Sequence, residues 1–219
     1  MSKVSSLLPN DLRQCCRDES FAGPTSGCAV GYVQANMVIL PAVDAVEFAE
    51  YCELNPKPCP VVEMLAPGNP EPLKSAPGAD VRTDLPRYRV FRNGKPVAEP
   101  TDIQDLWRDD LVTFLLGCSF TAEEALAAAG LPLPHIEQTG FVPMYATNIA
   151  THPAGKFSGP VVVSMRPFTA EHAKQAAEIT AHYPIGHGAP IHQGDPDTIG
   201  ISDLESPDYG MPVKMTDDQ

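Results

Sequence analysis

The sequence predicts an α/β fold with a mixed sheet and flanking helices. Apolar, strand-like runs such as 110–116 and 159–166 alternate along the chain with segments of helical spacing such as 44–54. The segment 87–97 alternates in polarity on both sides of Asn93-Gly94, which is the strongest short-range signal for a β-hairpin. The chain has no internal repeat that would indicate a solenoid or a propeller instead.

Each predicted element follows from local residue types. Apolar residues at helical spacing predict helices, β-branched or aromatic runs predict strands, and Thr169 is a typical N-cap. In chain order we expect a helix over 8–17, a Gly-rich turn leading into an apolar segment over 25–40, a helix over 44–54, a strand over 61–65, the hairpin over 87–97, a strand over 110–116 with a helix after it, a strand over 159–166, and a helix from Thr169 to about His182.

Length and composition indicate one folded unit. With 219 residues and 43% hydrophobic composition, the chain can bury a sizeable core as a single catalytic-type unit over 1–219. The most loop-like break in the second half lies near 150–158, where we expect two lobes to meet. Several of the 24 prolines lie in polar stretches such as 55–60 and 66–72, which predicts loops of fixed shape.

Charge excludes several classes of partner. The formal net charge of -13 leaves no basic stripe to bind nucleic acid or an anionic membrane. No apolar run reaches the ~20 residues of a membrane span, and the first residues lack the pattern of a signal peptide. We therefore expect a cytoplasmic protein that acts on a small carboxylate.

The six cysteines follow neither the spacing of a small disulfide scaffold nor that of a zinc knuckle. We interpret them as reduced thiols. No organic cofactor is expected, because the Gly-rich stretch 23–27 lacks the lysine of a P-loop and the spacing of a dinucleotide fingerprint.

The junction after the strand 110–116 is the first candidate site. Gly117 ends the strand, Ser119 or Thr121 is predicted to N-cap a helix, and Glu123 or Glu124 would complete a capping box. A helix start beside Cys118, Ser119 and Phe120 would lower the pKa of the thiol and bind a carboxylate or an oxyanion. The alternative is a well-capped helix whose cysteine packs as a small hydrophobic residue.

Two arginines are candidates for binding a substrate carboxylate. Arg166 follows a predicted buried strand, and ligands of open α/β sheets collect at strand ends. Its guanidinium can bind a carboxylate with two parallel hydrogen bonds. Arg82 is the second candidate, although it lies between Asp80 and Asp84 and could instead form an internal salt bridge.

The loop 187–196 contains two histidines and an aspartate among turn-forming residues. His187 or His192 could act as an acid or base near neutral pH, oriented by Asp195, or the two could be metal ligands. The alternative is that their side chains only hold the loop by hydrogen bonds. Asn36 and Asn148 are either ligand-binding amides or braces of the backbone.

Several motifs together resemble one family. They are Gly31-Tyr32-Val33-Gln34-Ala35-Asn36, Asn55-Pro56-Lys57-Pro58-Cys59-Pro60, Asp80-Val81-Arg82-Thr83-Asp84-Leu85-Pro86-Arg87-Tyr88, Gly117-Cys118-Ser119-Phe120, Val163-Ser164-Met165-Arg166-Pro167 and His187-Gly188-Ala189-Pro190. Together they resemble the hydro-lyase family that includes D-glutamate cyclase. The resemblance spans nearly the whole chain and implies two joined α/β subdomains. For the cyclase branch it implies reversible loss of water between D-glutamate and 5-oxo-D-proline.

The sequence also departs from that family's pattern. Members usually continue past the position of Gln219 with a further segment, and basic residues are expected where this chain has Pro134 and Ala146. These departures leave three alternatives open: a hydro-lyase with another substrate, a non-catalytic carboxylate-binding relative, and one subunit of a hetero-oligomeric enzyme completed by a partner chain. A homo-oligomer is also compatible with the sequence.

The leading hypothesis is a lyase that adds or removes water on a small amino or hydroxy acid. Arg166 and Arg82 would bind a carboxylate, and N–H groups near Ser119 and Phe120 would stabilise the oxyanion of the tetrahedral intermediate. His187 would transfer the proton, with Glu123 or Cys118 as its counterpart.

The first prediction concerns metals. Because the histidines and cysteines form no recognisable ligand set, treatment with a chelator should leave the melting temperature and any activity unchanged. The measurement is a thermal unfolding curve with and without chelator, together with elemental analysis of the purified protein. A stoichiometric transition metal that is lost together with activity would contradict it.

Overall fold

The computed structural model describes residues 7–138 and 140–216. The chain divides into two compact units, each built from two stretches of sequence. Unit 1 comprises Met1–Ala45 and Val61–Leu116, and unit 2 comprises Val46–Pro60 and Gly117–Gln219. The segment 150–158, where we expected two lobes to meet, lies inside unit 2. The ends of the predicted single unit, 1–6 and 217–219, lie outside the described residues.

Unit 1 contains a three-stranded sheet and a two-stranded hairpin. Its elements are α1 (Pro9–Arg17), β1 (Ala35–Pro41), β2 (Val61–Met64), β3 (Val90–Arg92) and β4 (Lys95–Ala98). It also includes the first residues of α2 (Ala42–Leu54), as far as Ala45, and all of β5 (Leu111–Gly117) except Gly117. The strand order in the larger sheet is β1-β5-β2. β2 runs antiparallel to β5, with Val61 opposite Leu116 and Met64 opposite Phe114.

The strongest local signals of the sequence give the expected elements in unit 1. The apolar run that predicted a buried strand forms β5, whose residues 111–114 are buried. The Asn-Gly signal gives the hairpin β3–β4, with Asn93 at φ 50° and Gly94 at φ 74°. Two consecutive residues of positive φ are what a tight hairpin turn requires.

In its described residues, unit 2 contains the remainder of α2, three further helices and a two-stranded sheet. Its further elements are α3 (Glu123–Ala128), α4 (Pro134–Gln138), β6 (Met144–Ala150), β7 (Pro160–Ser164), α5 (Ala170–Thr180) and the 3-10 turns Ser119–Ala122, Pro184–Gly186 and Pro196–Ile199. β6 and β7 are antiparallel, with Met144 opposite Ser164. The N-cap predicted for α5 is confirmed, because the Thr169 side chain accepts a hydrogen bond from the backbone N–H of His172.

An apolar cluster joins the helices of unit 2. Leu126 of α3 and Ala176 of α5 pack with Leu131 and Leu133 from the connection that leads to α4. Because this connection is anchored by its leucines, α4 is held close to α3. The α/β class is therefore confirmed, and within the residues that the structure describes the strands are distributed over three small sheets.

All six cysteines are free thiols. Within the described ranges, no helix combines the length and the apolar composition needed to cross a lipid bilayer.

Gly117 allows a close approach of backbone segments in unit 2. A Cβ atom at this position would lie 1.6 Å from the carbonyl oxygen of Ile185, inside any permitted contact distance. The N–H of Gly117 also donates to the carbonyl oxygen of Pro60 at 2.8 Å. The end of β5 is thus packed directly against the turn Pro184–Gly186, and only glycine fits there.

We predict that Gly117→Ala lowers the free energy of unfolding by about 3 kcal/mol, because the turn at Ile185 must move away. Gly159→Ala is the matched control in the same unit, since a Cβ there meets nothing within 4 Å. Urea unfolding of both variants tests this. Equal stability of the two would show that the backbone at Gly117 relaxes without cost.

Candidate functional site

The junction between β5 and α3 differs from the sequence prediction. Ser119–Ala122 forms a 3-10 turn, α3 begins only at Glu123, and neither element has a side-chain capping hydrogen bond. The predicted cap by Ser119 or Thr121, with a capping box from Glu123 or Glu124, is therefore wrong. The physical reason is that the Ser119 hydroxyl and the Glu123 carboxylate bind another partner, the guanidinium of Arg166.

Arg166 and Glu123 form a buried ion pair. The Nε atom of Arg166 donates to Oε1 of Glu123 at 2.7 Å, and Nη2 donates to the same oxygen. The two side chains are only 13% and 7% exposed. In this structure the carboxylate that Arg166 binds is thus the chain's own, and binding of a substrate carboxylate stays a prediction.

Two hydroxyl groups extend the ion pair towards the junction. Nη2 of Arg166 donates to Oγ of Ser119 at 3.1 Å, and Nη1 lies 3.4 Å from Oγ of Ser164. The two hydroxyl oxygens are themselves 3.3 Å apart. Arg166 therefore links the end of β7 to the turn that follows β5.

His135 is the member of this cluster that sequence reasoning missed. Its Nε2 atom lies 3.2 Å from Oε1 of Glu123, and its side chain is fully buried. The ring of Phe120 lies edge-on to the imidazole, with centroids 6.2 Å apart. The only available signal was a histidine next to the Pro134 that starts a short helix, which does not reveal a partner in another helix.

Glu123 remains ionised in this setting. Burial by itself would raise the pKa of the carboxyl, but the hydrogen bond with His135 and the positive charge of Arg166 hold it below its ordinary value. The second oxygen, Oε2, is buried and has no hydrogen-bond partner in the described part of the chain. Such a carboxylate is a weak proton acceptor at neutral pH and a strong positioning group for Arg166.

His187 lies at the end of the turn Pro184–Gly186, in the left-handed region at φ 77°. Its Nδ1 atom is 2.9 Å from the carbonyl oxygen of Lys57, and a carbonyl can only accept, so Nδ1 is the donor. The ammonium of Lys57 in turn donates to the carbonyl oxygen of His187 at 3.1 Å and to that of Ala189. Nε2 is left as the basic atom of the ring.

The electrostatic surroundings keep His187 neutral. Burial lowers the pKa of the imidazole, and the positive charges of Arg166 and Lys57 lower it further. The hydrogen bond to the backbone carbonyl of Lys57 raises the pKa, but the net shift is downward. A Cβ at Gly186 would lie 3.2 Å from both the Cys118 carbonyl oxygen and the Cβ of Thr121, so the two turns touch. The structure thus brings Cys118, Ser119, Phe120, Glu123, Arg166 and His187 into one region of unit 2.

The remaining predicted residues have other surroundings. Arg82 is in unit 1 and binds Asp80 with its Nε and Nη2 atoms, Nη2 at 2.7 Å, which is the internal salt bridge considered from the sequence. Asn36 is exposed on β1 of the same unit. In unit 2, Asn148 is exposed on β6. Its Cβ lies close to the backbone of Gly200, because a Cβ added at Gly200 would be only 3.0 Å from it.

The second histidine of the loop 187–196 contacts its own loop. Nε2 of His192 is 2.8 Å from the backbone carbonyl oxygen of Asp195, not from the carboxylate. The Asp195 side chain instead accepts from the N–H of Asp197 at the start of the turn Pro196–Ile199. Over 7–138 and 140–216, no group of three or more His, Cys, Asp or Glu side chains is arranged to hold a metal ion.

Comparison with known proteins gives one consistent match. Residues 112–219 match the model of the D-glutamate cyclase family. Over most of its length, the chain is also similar to proteins that carry the name "putative hydro-lyase". The one from Bordetella pertussis is 55% identical over 199 residues, which cover 91% of this chain and 72% of the relative.

Two further relatives extend the match. The protein of that name from Rubrobacter xylanophilus is 55% identical over 93% of this chain and 78% of its own length. The one from Geobacillus kaustophilus is 51% identical over 98% of this chain and 82% of its own length. The segment 112–219 includes every residue of the cluster around Arg166 and also His187.

The ion pair predicts a pH-dependent stability. Because the folded-state pKa of Glu123 is below its ordinary value of 4.5, the carboxylate stabilises the fold fully above about pH 4.5. This contribution is lost as the pH falls through the folded pKa. Glu123→Gln should therefore lower the free energy of unfolding by about 3 kcal/mol at pH 7, since it leaves Arg166 buried without its counter-ion.

Glu124→Gln is the matched control, because Glu124 is the exposed neighbour on the same helix. Urea unfolding at pH 7 and at successively lower pH is the measurement. The difference between wild type and Glu123→Gln should shrink towards acid, whereas Glu124→Gln should resemble wild type throughout. A difference that is independent of pH would show that Glu123 is not charged in the folded protein.

Proposed function

This chain belongs to the D-glutamate cyclase family of hydro-lyases, and from that premise we propose that it adds or removes water on a small amino or hydroxy acid. Conversion of D-glutamate to 5-oxo-D-proline and water is the specific reaction we propose to test first. The observation that carries the proposal is the cluster of Arg166, Glu123, His135 and Ser119, in which Glu123 and His135 are buried and which lies beside the turn that bears His187.

The cyclisation requires defined bond changes. The amino nitrogen of the substrate forms a bond to the carbon of the side-chain carboxylate, and one carbon–oxygen bond of that carboxylate breaks. The two protons that the ammonium group loses end on the departing oxygen, which leaves as water. The enzyme must therefore bind a carboxylate, stabilise the tetrahedral oxyanion, and move protons from nitrogen to oxygen.

The junction after β5 offers donors for the carboxylate. Ser119 and Phe120 are the first residues of a 3-10 turn, so their N–H groups have no acceptor within that turn. The Ser119 hydroxyl and the Nη1 atom of Arg166 add donors next to them. We propose that these groups bind the reacting carboxylate and stabilise the oxyanion, and that Glu123 holds Arg166 in the required orientation.

His187 has the properties of the proton-transfer group. Its lowered pKa leaves the imidazole neutral near pH 7, and the Lys57 carbonyl fixes Nδ1 as donor, so Nε2 can accept a proton from the substrate nitrogen. The low pKa of Glu123 makes that carboxylate a poor counterpart in proton transfer. Cys118 is the candidate counterpart that remains, at the start of the Ser119–Ala122 turn.

The test is incubation of the purified protein with a panel of D- and L-amino acids and hydroxy acids, with water loss or gain followed by mass. We expect turnover of at least one acid, with D-glutamate as the first candidate. His187→Gln should lower kcat by roughly 10²- to 10⁴-fold with little change in melting temperature. His182→Gln, a change at an exposed histidine of the same unit, should leave kcat unchanged.

The outcomes separate the alternatives. Saturable binding of one acid without turnover of any would support a non-catalytic carboxylate-binding relative. Turnover that His187→Gln leaves intact would reject the proposed proton transfer while keeping the hydro-lyase function.

The pH profile gives an independent check. If neutral His187 is the base, kcat/KM should fall on the acid side as the imidazole becomes protonated, and this fall should lie below the ordinary histidine pKa of 6.5. An acid limb above that value would contradict the assignment.

A further inference from the structure

Two sequence motifs of the chain, 55–60 and 187–190, meet in unit 2. Lys57 and His187 are 130 residues apart in sequence, and the Lys57 side chain joins the two segments. Its ammonium donates to the carbonyl oxygen of His187 at 3.1 Å and to that of Ala189. Its backbone carbonyl accepts the hydrogen bond from Nδ1 of His187 at 2.9 Å. One residue therefore contacts both the main chain and the imidazole of the candidate base.

The main chain at His187 needs such support. His187 is at φ 77° and Gly188 follows at φ 70°, so two consecutive residues lie in the left-handed region. Glycine adopts this conformation freely, whereas a residue with a Cβ does so at a cost in free energy. A Cβ added at Gly188 would lie 3.9 Å from Nζ of Lys57, which places the ammonium beside this bend. The two carbonyl oxygens that the ammonium binds belong to the first and third residues of the bend, His187 and Ala189.

The loop that carries Lys57 is itself held at both ends. Asn55 is buried and exchanges two hydrogen bonds of 2.8 Å with the backbone of His152. The carbonyl oxygen of Pro60 accepts from the N–H of Gly117 at 2.8 Å. A proline also stands on each side of Lys57, and each ring restricts its own φ. Lys57 therefore reaches His187 from a braced segment.

We propose that Lys57 is a positioning residue for proton transfer: its ammonium holds the bend at His187, and its carbonyl fixes the tautomer in which Nε2 is the basic atom. The effect on catalysis rests on the function proposed above, whereas the positioning of the imidazole does not. Lys57 neither gains nor loses a proton in this role. The proton moves only between the substrate and Nε2 of His187.

The charge of the ammonium supports the same role. Lys57 and Arg166 are the two cations that, in addition to burial, lower the pKa of the His187 imidazole and so favour its neutral form. Cys118 is the titratable residue of the junction whose backbone the turn Pro184–Gly186 contacts. Loss of the ammonium should therefore raise the pKa of His187 towards the ordinary value of 6.5 and release the bend.

The test is nitrogen NMR of the full chain with isotope-labelled histidines. The shifts of the two ring nitrogens report the tautomer of a neutral imidazole, and their pH dependence reports its pKa. The signals that are absent from His187→Gln identify His187. In wild type we expect the proton on Nδ1 and a pKa below 6.5. In Lys57→Met we expect a mixture of tautomers and a higher pKa.

Two further variants separate the role of the ammonium from a general effect of substitution. Lys57→Arg keeps a cation and several donors, so its His187 signals should stay closer to those of wild type. Lys174→Met is the matched control, because Lys174 is an exposed lysine on α5 in the same unit. It should leave the His187 signals unchanged. A lower melting temperature of Lys57→Met with wild-type His187 signals would show a purely structural contact and would overturn the proposal.

Where an acid is turned over, kcat and KM distinguish positioning from contact with the substrate. Lys57→Met should lower kcat roughly tenfold or more with little change in KM, because a misplaced base slows proton transfer steeply. The acid limb of kcat/KM should move to higher pH together with the pKa of His187. A raised KM with unchanged kcat would overturn the proposal, since it would indicate that the ammonium binds the substrate directly.

The NMR measurement decides the proposal even in an inactive protein. A wild-type tautomer and pKa at His187 in Lys57→Met would overturn it. Absence of turnover in the wild-type protein would count against the proposed function alone, because the nitrogen shifts still show whether Lys57 positions His187.

Discussion

The buried ion pair between Arg166 and Glu123 is the interaction on which the candidate site depends. A carboxylate that is 7% exposed is stable only if opposite charge and hydrogen bonds replace the water it has lost. Arg166 supplies two of these contacts and His135 supplies a third. The end of β7, the start of α3 and the short helix α4 are consequently held at one carboxylate group.

This constraint also explains the chemistry assigned to each group. Because its pKa is held below the ordinary value, Glu123 does not take up a proton readily, and its Oε1 atom fixes the guanidinium of Arg166 next to the Ser119 hydroxyl. His187 lies at the end of the turn Pro184–Gly186. Glycine at positions 117 and 186 lets this turn pack against the backbone between β5 and α3. A guanidinium held in place by Glu123 and a neutral histidine are therefore supplied by separate segments of unit 2.

Local sequence signals predicted the elements and named most residues of the candidate site, but not the contacts among those residues. The buried strand β5, the Asn93-Gly94 hairpin and the Thr169 cap follow from the residues of each segment, and all three are confirmed. The helix predicted to start at Ser119 or Thr121 was wrong: no side-chain cap forms at this junction, and the Ser119 hydroxyl and the Glu123 carboxylate instead contact Arg166, more than forty residues away in sequence. His135 was missed for the same reason: its role depends on a carboxylate in another helix, and no local pattern records that contact.

The most direct test of the site's dependence on this ion pair is a double-mutant cycle of Glu123→Gln and Arg166→Met, measured as free energies of unfolding at pH 7. Since the two groups are in contact and buried, the effects of the single changes should be strongly non-additive, with a coupling energy of about 2 kcal/mol or more. Effects that add to within about 0.5 kcal/mol would contradict a structure organised around this pair.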